Sequence, residues 1–387
     1  MMKKFRISLL GWVAIAITGG ILFGQILPAG VARLFVTFNS LFGNFLSFAI
    51  PLIILGLVAP AIGELGKGAG RLLIMTTLIA YGSTLFSGFF TYFSSSAVLP
   101  HILDQNTAVA ALENPEDFML TPYFTIAMPP LMDIMTSLLL AFIIGLGLSS
   151  IKGNTLQACF TDFRDIIMLF IRSAIVPLLP LHIFGIFLNI TVSGQVAAII
   201  LMFLKVIGFI FALHITLLLV QFITAGAITK KNPFVMLTTM LPAYLTALGT
   251  QSSAATIPVT LRQTLKMGVR ENIAVFTVPL CATIHLAGST LKIVACAMAI
   301  LMIAGETASI VQFSGFIMML GITMVAAPGV PGGAIMAALG LLGSMLGFNE
   351  TLQALMIALY IAMDSFGTAC NVTGDGAISA VVDRIAK

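Results

Sequence analysis

The sequence predicts an all-α integral membrane protein with eight transmembrane helices, two re-entrant helical hairpins and an inverted repeat in its second half. Three observations carry this prediction. The chain of 387 residues is 59% hydrophobic and 8% charged, whereas soluble domains carry about 25% charged residues. Residues 7–32, 34–63, 72–100, 134–151, 173–204, 206–229 and 272–291 contain no Asp, Glu, Lys or Arg, and most of these runs exceed the roughly 18–20 residues that span a bilayer core. Two further apolar stretches are broken in mid-length by small, polar and Pro residues, at LGTQSSAATIP (248–258) and AAPGVPGGA (326–334).

The N-terminal MMKKFR and the apolar run after it have the outline of a signal peptide. The run is long and a second apolar segment follows directly, so it reads as a first transmembrane helix, 7–28. Its Gly20–Gly24 GxxxG spacing supports close packing only. Helix 2 covers about 31–62, and the link GELGKGAGR (63–71) leads to helix 3, which ends near 97. The loop 98–123 carries Asp104, Glu113, Glu116 and Asp117 but no Lys or Arg. Helix 4 is expected over 125–150, with Asp133 in MPPLMDIM as a helix-breaking polar feature. Helix 5 is expected over 160–190 and helix 6 over 195–228.

Lys3, Lys4, Arg6, Lys67, Arg71, Lys152, Lys230, Lys231, Arg262, Lys266, Arg270, Arg384 and Lys387 fall on one side of such a bundle. That side is read as cytoplasmic, with both termini inside, in the cell (inner or plasma) membrane, and with the acidic loop outside. The net charge of +4 therefore reports topology and not a nucleic-acid partner. Cys159, Cys281, Cys296 and Cys370 lie in apolar stretches without a CxxC pair, and read as small core residues.

Consistent topology constrains the second half. The apolar stretch between Lys231 and Arg262 must enter and leave on one side, as a re-entrant hairpin over 231–263 with its broken tip buried in protein. A second hairpin, over 306–348 and interrupted by Pro328 and Pro331, enters from the opposite side. Helix 7 (271–303) and helix 8 (350–386) follow the two hairpins. Hairpin–helix–hairpin–helix is an inverted repeat with interrupted segments at matching positions, the arrangement of transport sites. Helix 7 carries polar residues at TIHLAGST (283–290), and its expected counterpart is ACNVTGDGA (369–377).

Helix 8 concentrates the chemistry. At about 100° per residue, Asp364, Thr368, Asn371 and Asp375 share one stripe. A carboxylate near the bilayer centre costs about 2.5–3.5 kcal/mol or more. Two on one stripe need a cation, a substrate amine or basic groups from neighbouring helices.

With TQSSAATIPVT, PGVPGG and NVTGD (371–375) in order on the expected elements, residues 230–387 resemble the dicarboxylate/amino acid:cation symporters, the family of glutamate and neutral amino acid transporters. The first half agrees in hydropathy and in its IPLI and ELGKGAGR segments. The resemblance implies a homotrimer, each subunit having a static scaffold and a mobile transport domain that moves like an elevator, with the second hairpin as outer gate. On this chain, 1–62 would hold scaffold helices 1 and 2, 63–97 transport helix 3, and 98–190 the outer loop with scaffold helices 4 and 5. The transport core would be 191–387.

The resemblance also implies roles. Ser252 and Ser253 at the first tip would present helix-end N–H groups to a substrate carboxylate, or else only cap the turn. Asn371 would reach the same carboxylate, and Asp364 would pair with the substrate amine unless it forms a structural ion pair. Ser289, Val330, Gly332, Gly367 and Thr368 would border the substrate. Asp375, with backbone carbonyls of Cys281, His285 and Asn371, would hold Na⁺, a hard cation suited to oxygen ligands.

Departures from the family pattern narrow the substrate. Acidic-substrate members have an arginine where this chain has Gly367, and Gln251 replaces another at the first tip. Both changes favour serine, threonine, alanine or cysteine. The family's NMDGT reads HLAGS (285–289), with His285 for Asn and Ala287 for the Asp of an additional Na⁺ site. The helix 3 partners of that site (Tyr, Thr and Ser) are not evident around Met75–Ala80, so fewer coupled Na⁺ ions are expected. Lys292, seven residues after His285, reads as a tethered cation, as part of a proton path with His285, or as a snorkelling or scaffold-facing lysine. H⁺ is therefore the alternative coupling ion, with a neutral amino acid or another small organic solute as substrate on the same fold. An intramembrane enzyme finds no HExxH, GxSxG or protease-type Asp pair, and hairpins from opposite sides suit alternating access better than a channel.

Overall fold

The computed structural model describes residues 9–66, 71–103, 120–192, 194, 196–306, 308–327 and 332–386. Every regular element among them is a helix. The first half holds α1 (Leu9–Gly24), α2 (Ala29–Gly66), α3 (Arg71–Ile102), α4 (Ile134–Ser150) and α5 (Thr155–Phe170). A π turn, Ile171–Ile175, joins α5 to α6 (Val176–Val192), and α7 covers Val196–Thr229. The first hairpin is α8 (Pro233–Thr250) and α9 (Ser253–Lys266), followed by α10 (Glu271–Ile284) and α11 (Ala287–Ile303). The second is α12 (Ile310–Ala326) and α13 (Gly333–Leu346), followed by α14 (Glu350–Ala362) and α15 (Asp364–Ile385).

Among the described residues six helices are long and apolar enough to cross a membrane, or seven if the bent pair α14–α15 is one span. The sequence predicts eight. The apolar parts of α1 and α4, Gly11–Gly24 and Leu139–Ser150, fall short of that length, while α8, expected as a hairpin arm, reaches it. The acidic residues of the 98–123 loop, Lys67 and the Pro328–Pro331 tip lie outside the described residues.

Helix 4 starts later than predicted. Pro129 and Pro130 cannot supply helical N–H groups, and Asp133 caps α4 by accepting from Thr136 N at 2.9 Å. The preceding 120–132 stretch is irregular and is held by side chains of other elements. Arg33 Nε donates to Thr121 O at 3.0 Å, Asn44 Nδ2 to Ile126 O at 2.8 Å, and Leu120 N to Asn189 Oδ1 at 3.0 Å. Asp133 is thus a helix starter, the physical reason for the break assigned to it.

Helices α1, α2, α4, α5 and α6 pack together. The GxxxG glycines act as expected: a Cβ on Gly20 would lie 2.6 Å from Phe184 O, and one on Gly24 would lie 2.6 Å from Thr191 Cβ. Backbone therefore approaches backbone where α1 meets α6. In the second half, α15 is surrounded by α3, α7, α8, α9, α10 and α11. Nearly all of α15, and of α11 from Ala287 to Leu301, is buried.

Both hairpins turn where the sequence places the breaks. Gln251 adopts a left-handed φ of 53° after α8, and the Ser252 hydroxyl caps α9 by accepting from Ala255 N at 3.3 Å. Gly332, at φ 74°, precedes α13. The chain also unwinds at His285–Leu286 between α10 and α11. The counterpart break in the last span is not at 369–377, which is continuous helix. It falls at Met363, where α14 and α15 bend by 61°. Nothing in IALYIAMDSF is a helix breaker, so the position of this break is set by the contacts of Asp364.

Candidate functional site

Two broken helices meet at the centre of the second half. The start of α11 lacks a capping side chain of its own, so its exposed N–H groups need acceptors from elsewhere. Asn371 of α15 supplies one: its Oδ1 accepts from Gly288 N at 2.7 Å and from Ser289 N at 3.3 Å. Its Nδ2 donates to Ser289 Oγ at 3.0 Å, and Tyr360 Oη donates to the same oxygen at 3.2 Å. Gly288 allows this approach, because a Cβ there would lie 2.7 Å from both Cys370 Cβ and Gly367 O. From the other side, Ser87 Oγ donates to Ala287 O at 2.7 Å and His214 Nε2 to Gly288 O at 3.2 Å.

Asp364 opens α15 with both oxygens engaged. Lys292 Nζ donates to Oδ1 at 3.1 Å, and Gly332 N, at the tip of the second hairpin, donates to Oδ2 at 2.8 Å. The ammonium also reaches Met363 O at 3.4 Å and lies 3.6 Å from the centroid of the Tyr360 ring. Lys292 is fully buried and Asp364 nearly so. Partnering removes the large cost of isolated charges in an apolar interior. The space beside Gly367 is not empty: a Cβ there would lie 2.3 Å from Lys292 Cε. The snorkelling and scaffold-facing readings of Lys292 are thereby corrected, since its stem is packed inside the polar core.

Asp375 lies deeper on α15. His285, at the end of α10, donates from Nδ1 to Asp375 Oδ1 at 2.9 Å. With its proton on Nδ1, the ring accepts at Nε2 from Ser83 Oγ at 3.1 Å, and Gln221 Nε2 donates to Ser83 Oγ at 3.1 Å. Asp375 Oδ2 is buried and has no hydrogen-bond partner among the described residues. A buried carboxylate oxygen left in that condition is a ready ligand for a cation. The Cys281 carbonyl accepts from His285 N at 2.8 Å, which leaves it a second lone pair. Close by, α3, α7 and α15 border an open cleft of about 550 Å³ lined by Ser83, Phe86, Gln221 and Ile378.

The structure therefore brings Ser289, Asn371, Asp364, Gly367, Gly332 and Lys292 into one cluster, with His285 and Asp375 in an adjoining one. Thr368 is buried between them on α15. Ser252 and the buried Ser253 form the first tip, where Thr256 Oγ1 donates to Ser252 O at 2.8 Å. Val330 lies outside the described residues. Sequence reasoning missed Tyr360, His214, Ser83, Ser87 and Gln221. The polar contacts of helix 3 come not from Met75–Ala80 but from Ser83 and Ser87, one and two turns further along. Single polar residues in charge-free spans were the available signal.

A helical hairpin whose tip touches a buried, charge-paired core, beside helices broken at that core, is the arrangement of a transport site. The family follows from comparison: residues 9–385 match the sodium:dicarboxylate symporter family, and the chain belongs to it. It is 31% identical over 179 residues to an excitatory amino acid transporter of Caenorhabditis elegans, covering 46% of this chain and 35% of that protein. It is 26% identical over 261 residues to excitatory amino acid transporter 2 of Homo sapiens, covering 64% and 44%. Identity to excitatory amino acid transporter 4 of Mus musculus is 30% over 161 residues, covering 41% and 28%. The chain thus spans less than half the length of these curated relatives.

Proposed function

We propose that this chain is a secondary active transporter that couples Na⁺ to uptake of a small neutral amino acid (serine, threonine, alanine or cysteine) by elevator alternating access. The carrying observation is Asp364, a buried carboxylate at a helix break, touched by the tip of the second hairpin. A carboxylate there selects a ligand amine, and closure of the hairpin over it couples binding to gating. Asn371 and the N-terminus of α9 at Ser252–Ser253 take the substrate carboxylate. Ser289, Gly332, Gly367 and Thr368 border its side chain, and no guanidinium faces it at Gly367.

Asp375 Oδ2 and carbonyls of Cys281, His285 and Asn371 form the Na⁺ site in this reading. A second reading has support in the geometry: His285 bridges Asp375 and Ser83, an arrangement suited to carrying a proton in place of that Na⁺. The membrane topology keeps both termini cytoplasmic in the cell membrane, with eight crossings and two hairpins. A homotrimer follows from family resemblance, with α1, α2, α4, α5 and α6 as scaffold and α3 and α7–α15 as the moving part.

Thermal unfolding of the purified protein in detergent tests the proposal. A ligand at 100 times its Kd stabilises the folded state by about 2.7 kcal/mol. Alanine or serine should raise Tm in NaCl and not in choline chloride, and aspartate should have no effect. Stabilisation by aspartate and none by neutral amino acids would refute the substrate class.

A further inference from the structure

We propose that the Lys292 ammonium is a built-in stand-in for the substrate's amine: it occupies the amine subsite at Asp364 and, through Asp364, latches the second hairpin shut. This rests on the reading that Asp364 receives an amine. The Lys292 head group is surrounded by a carboxylate oxygen, a carbonyl oxygen and an aromatic face, from Asp364, Met363 and Tyr360. That is the set of groups that recognises a primary ammonium. The stem lies over Gly367, where any side chain would displace it. The lysine is thus fitted to this position along its whole length.

The second observation is the other oxygen of Asp364. Gly332 N donates to it from a backbone turn at φ 74°, at the very start of α13. One carboxylate therefore joins the Lys292 ammonium of α11 to the hairpin tip. Remove the ammonium and the carboxylate is left buried without its cation, a cost relieved when it takes up a proton or when the tip opens to admit water, so the latch loosens.

Charge accounting extends this to the transport cycle. Lys292 and Asp364 are neutral together. An incoming amino acid is a zwitterion, also neutral. Its ammonium takes Asp364, and the displaced Lys292 ammonium joins Asn371 and the first tip at its carboxylate, so the core stays neutral with and without substrate. Such a core moves through an apolar interior without a counter-transported cation to balance Asp364.

The test reports the hairpin directly. In a Cys159→Ala background, Ala334→Cys places a thiol beside the tip in place of a side chain only 6% exposed; the other three cysteines are buried. Maleimide labelling of the detergent-solubilised protein is compared with and without Lys292→Met, Lys292→Ala and Asp364→Asn. Each should speed labelling about tenfold or more, the ratio that corresponds to losing one charge-assisted hydrogen bond. Methylammonium should slow labelling of Lys292→Ala back toward the parent rate, and tetramethylammonium, which has no N–H, should not. Labelling at the parent rate in the lysine variants, or identical effects of the two ammonium ions, would overturn the proposal. A failure of Lys292→Met to fold leaves Lys292→Ala refolded with methylammonium, and Asp364→Asn, to decide it.

In proteoliposomes, Lys292→Met should lower net alanine uptake about tenfold or more beyond any loss of alanine exchange. Equal loss of both would count against the stand-in role. Absence of alanine transport in the parent protein would refute the substrate assignment alone, because labelling at Ala334→Cys needs no substrate.

Discussion

Replacing Gly367 by alanine probes the packing of Lys292 against α15. An added Cβ would lie 2.3 Å from Lys292 Cε, 2.6 Å from Nζ and 3.0 Å from Cδ. Carbon atoms prefer separations of roughly 3.5–4.0 Å, so the lysine tail must retreat by more than an ångström. Its 3.1 Å bond to Asp364 is then lost or strained. Overpacking of this kind costs about 1–3 kcal/mol, and breaking a buried pair outright costs about 3–5 kcal/mol. Gly367→Ala should therefore destabilise by about 2–4 kcal/mol. In a Lys292→Ala background the methyl meets no lysine tail. Alanine then benefits from its helix propensity, about 1 kcal/mol over glycine, and the effect should vanish or change sign. Unfolding in mixed micelles, arranged as a double-mutant cycle, measures this coupling at about 2–5 kcal/mol. The same destabilisation in both backgrounds would refute the placement of Lys292 over Gly367.

Other perturbations follow from the same contacts. Gly288→Ala would bring a Cβ within 2.7 Å of Gly367 O, a backbone atom that cannot swing away; a loss of about 2–4 kcal/mol is expected in the same unfolding assay. Asp375→Asn should abolish the dependence of ligand-induced Tm shifts on Na⁺ while leaving the protein folded, as circular dichroism and Tm without ligand would show. Arg270 Nε pairs with Asp383 Oδ1 at 2.5 Å, and Nη2 reaches Asp383 O at 2.9 Å, across a partly exposed surface. Arg270→Gln should cost about 1 kcal/mol, less at high salt, by thermal unfolding.

The fold class was legible because hydrocarbon enforces it. Charge-free runs of span length and glycine- or proline-bearing breaks leave few alternatives to helices and hairpins. Local chemistry also located the tips, where Gln251 and Gly332 take left-handed backbone. The start of helix 4 was missed because hydropathy outweighed Pro129 and Pro130. The break at Met363 was invisible because no residue there breaks a helix. It depends on Asp364 being held by Lys292, 72 residues earlier, and by the hairpin tip, 32 residues earlier.

The polar stripe on α15 was readable from the cost of buried carboxylates, but its partners were not. Asp364 and Asp375 are matched by Lys292 and His285 on neighbouring helices, and single-sequence periodicity carries no information on such pairings. It also left open whether the Ser252 hydroxyl caps a helix, which the structure shows it does. Ser83 and Gln221 entered the site only once α3 and α7 were packed against α15.

Uptake of labelled alanine and serine into proteoliposomes under an imposed Na⁺ gradient is the most direct measurement of the central claim. Na⁺-driven accumulation, lost in Asp364→Asn and uncoupled from Na⁺ in Asp375→Asn, is the predicted result. Accumulation driven only by a proton gradient, or undiminished uptake in Asp364→Asn, would contradict it.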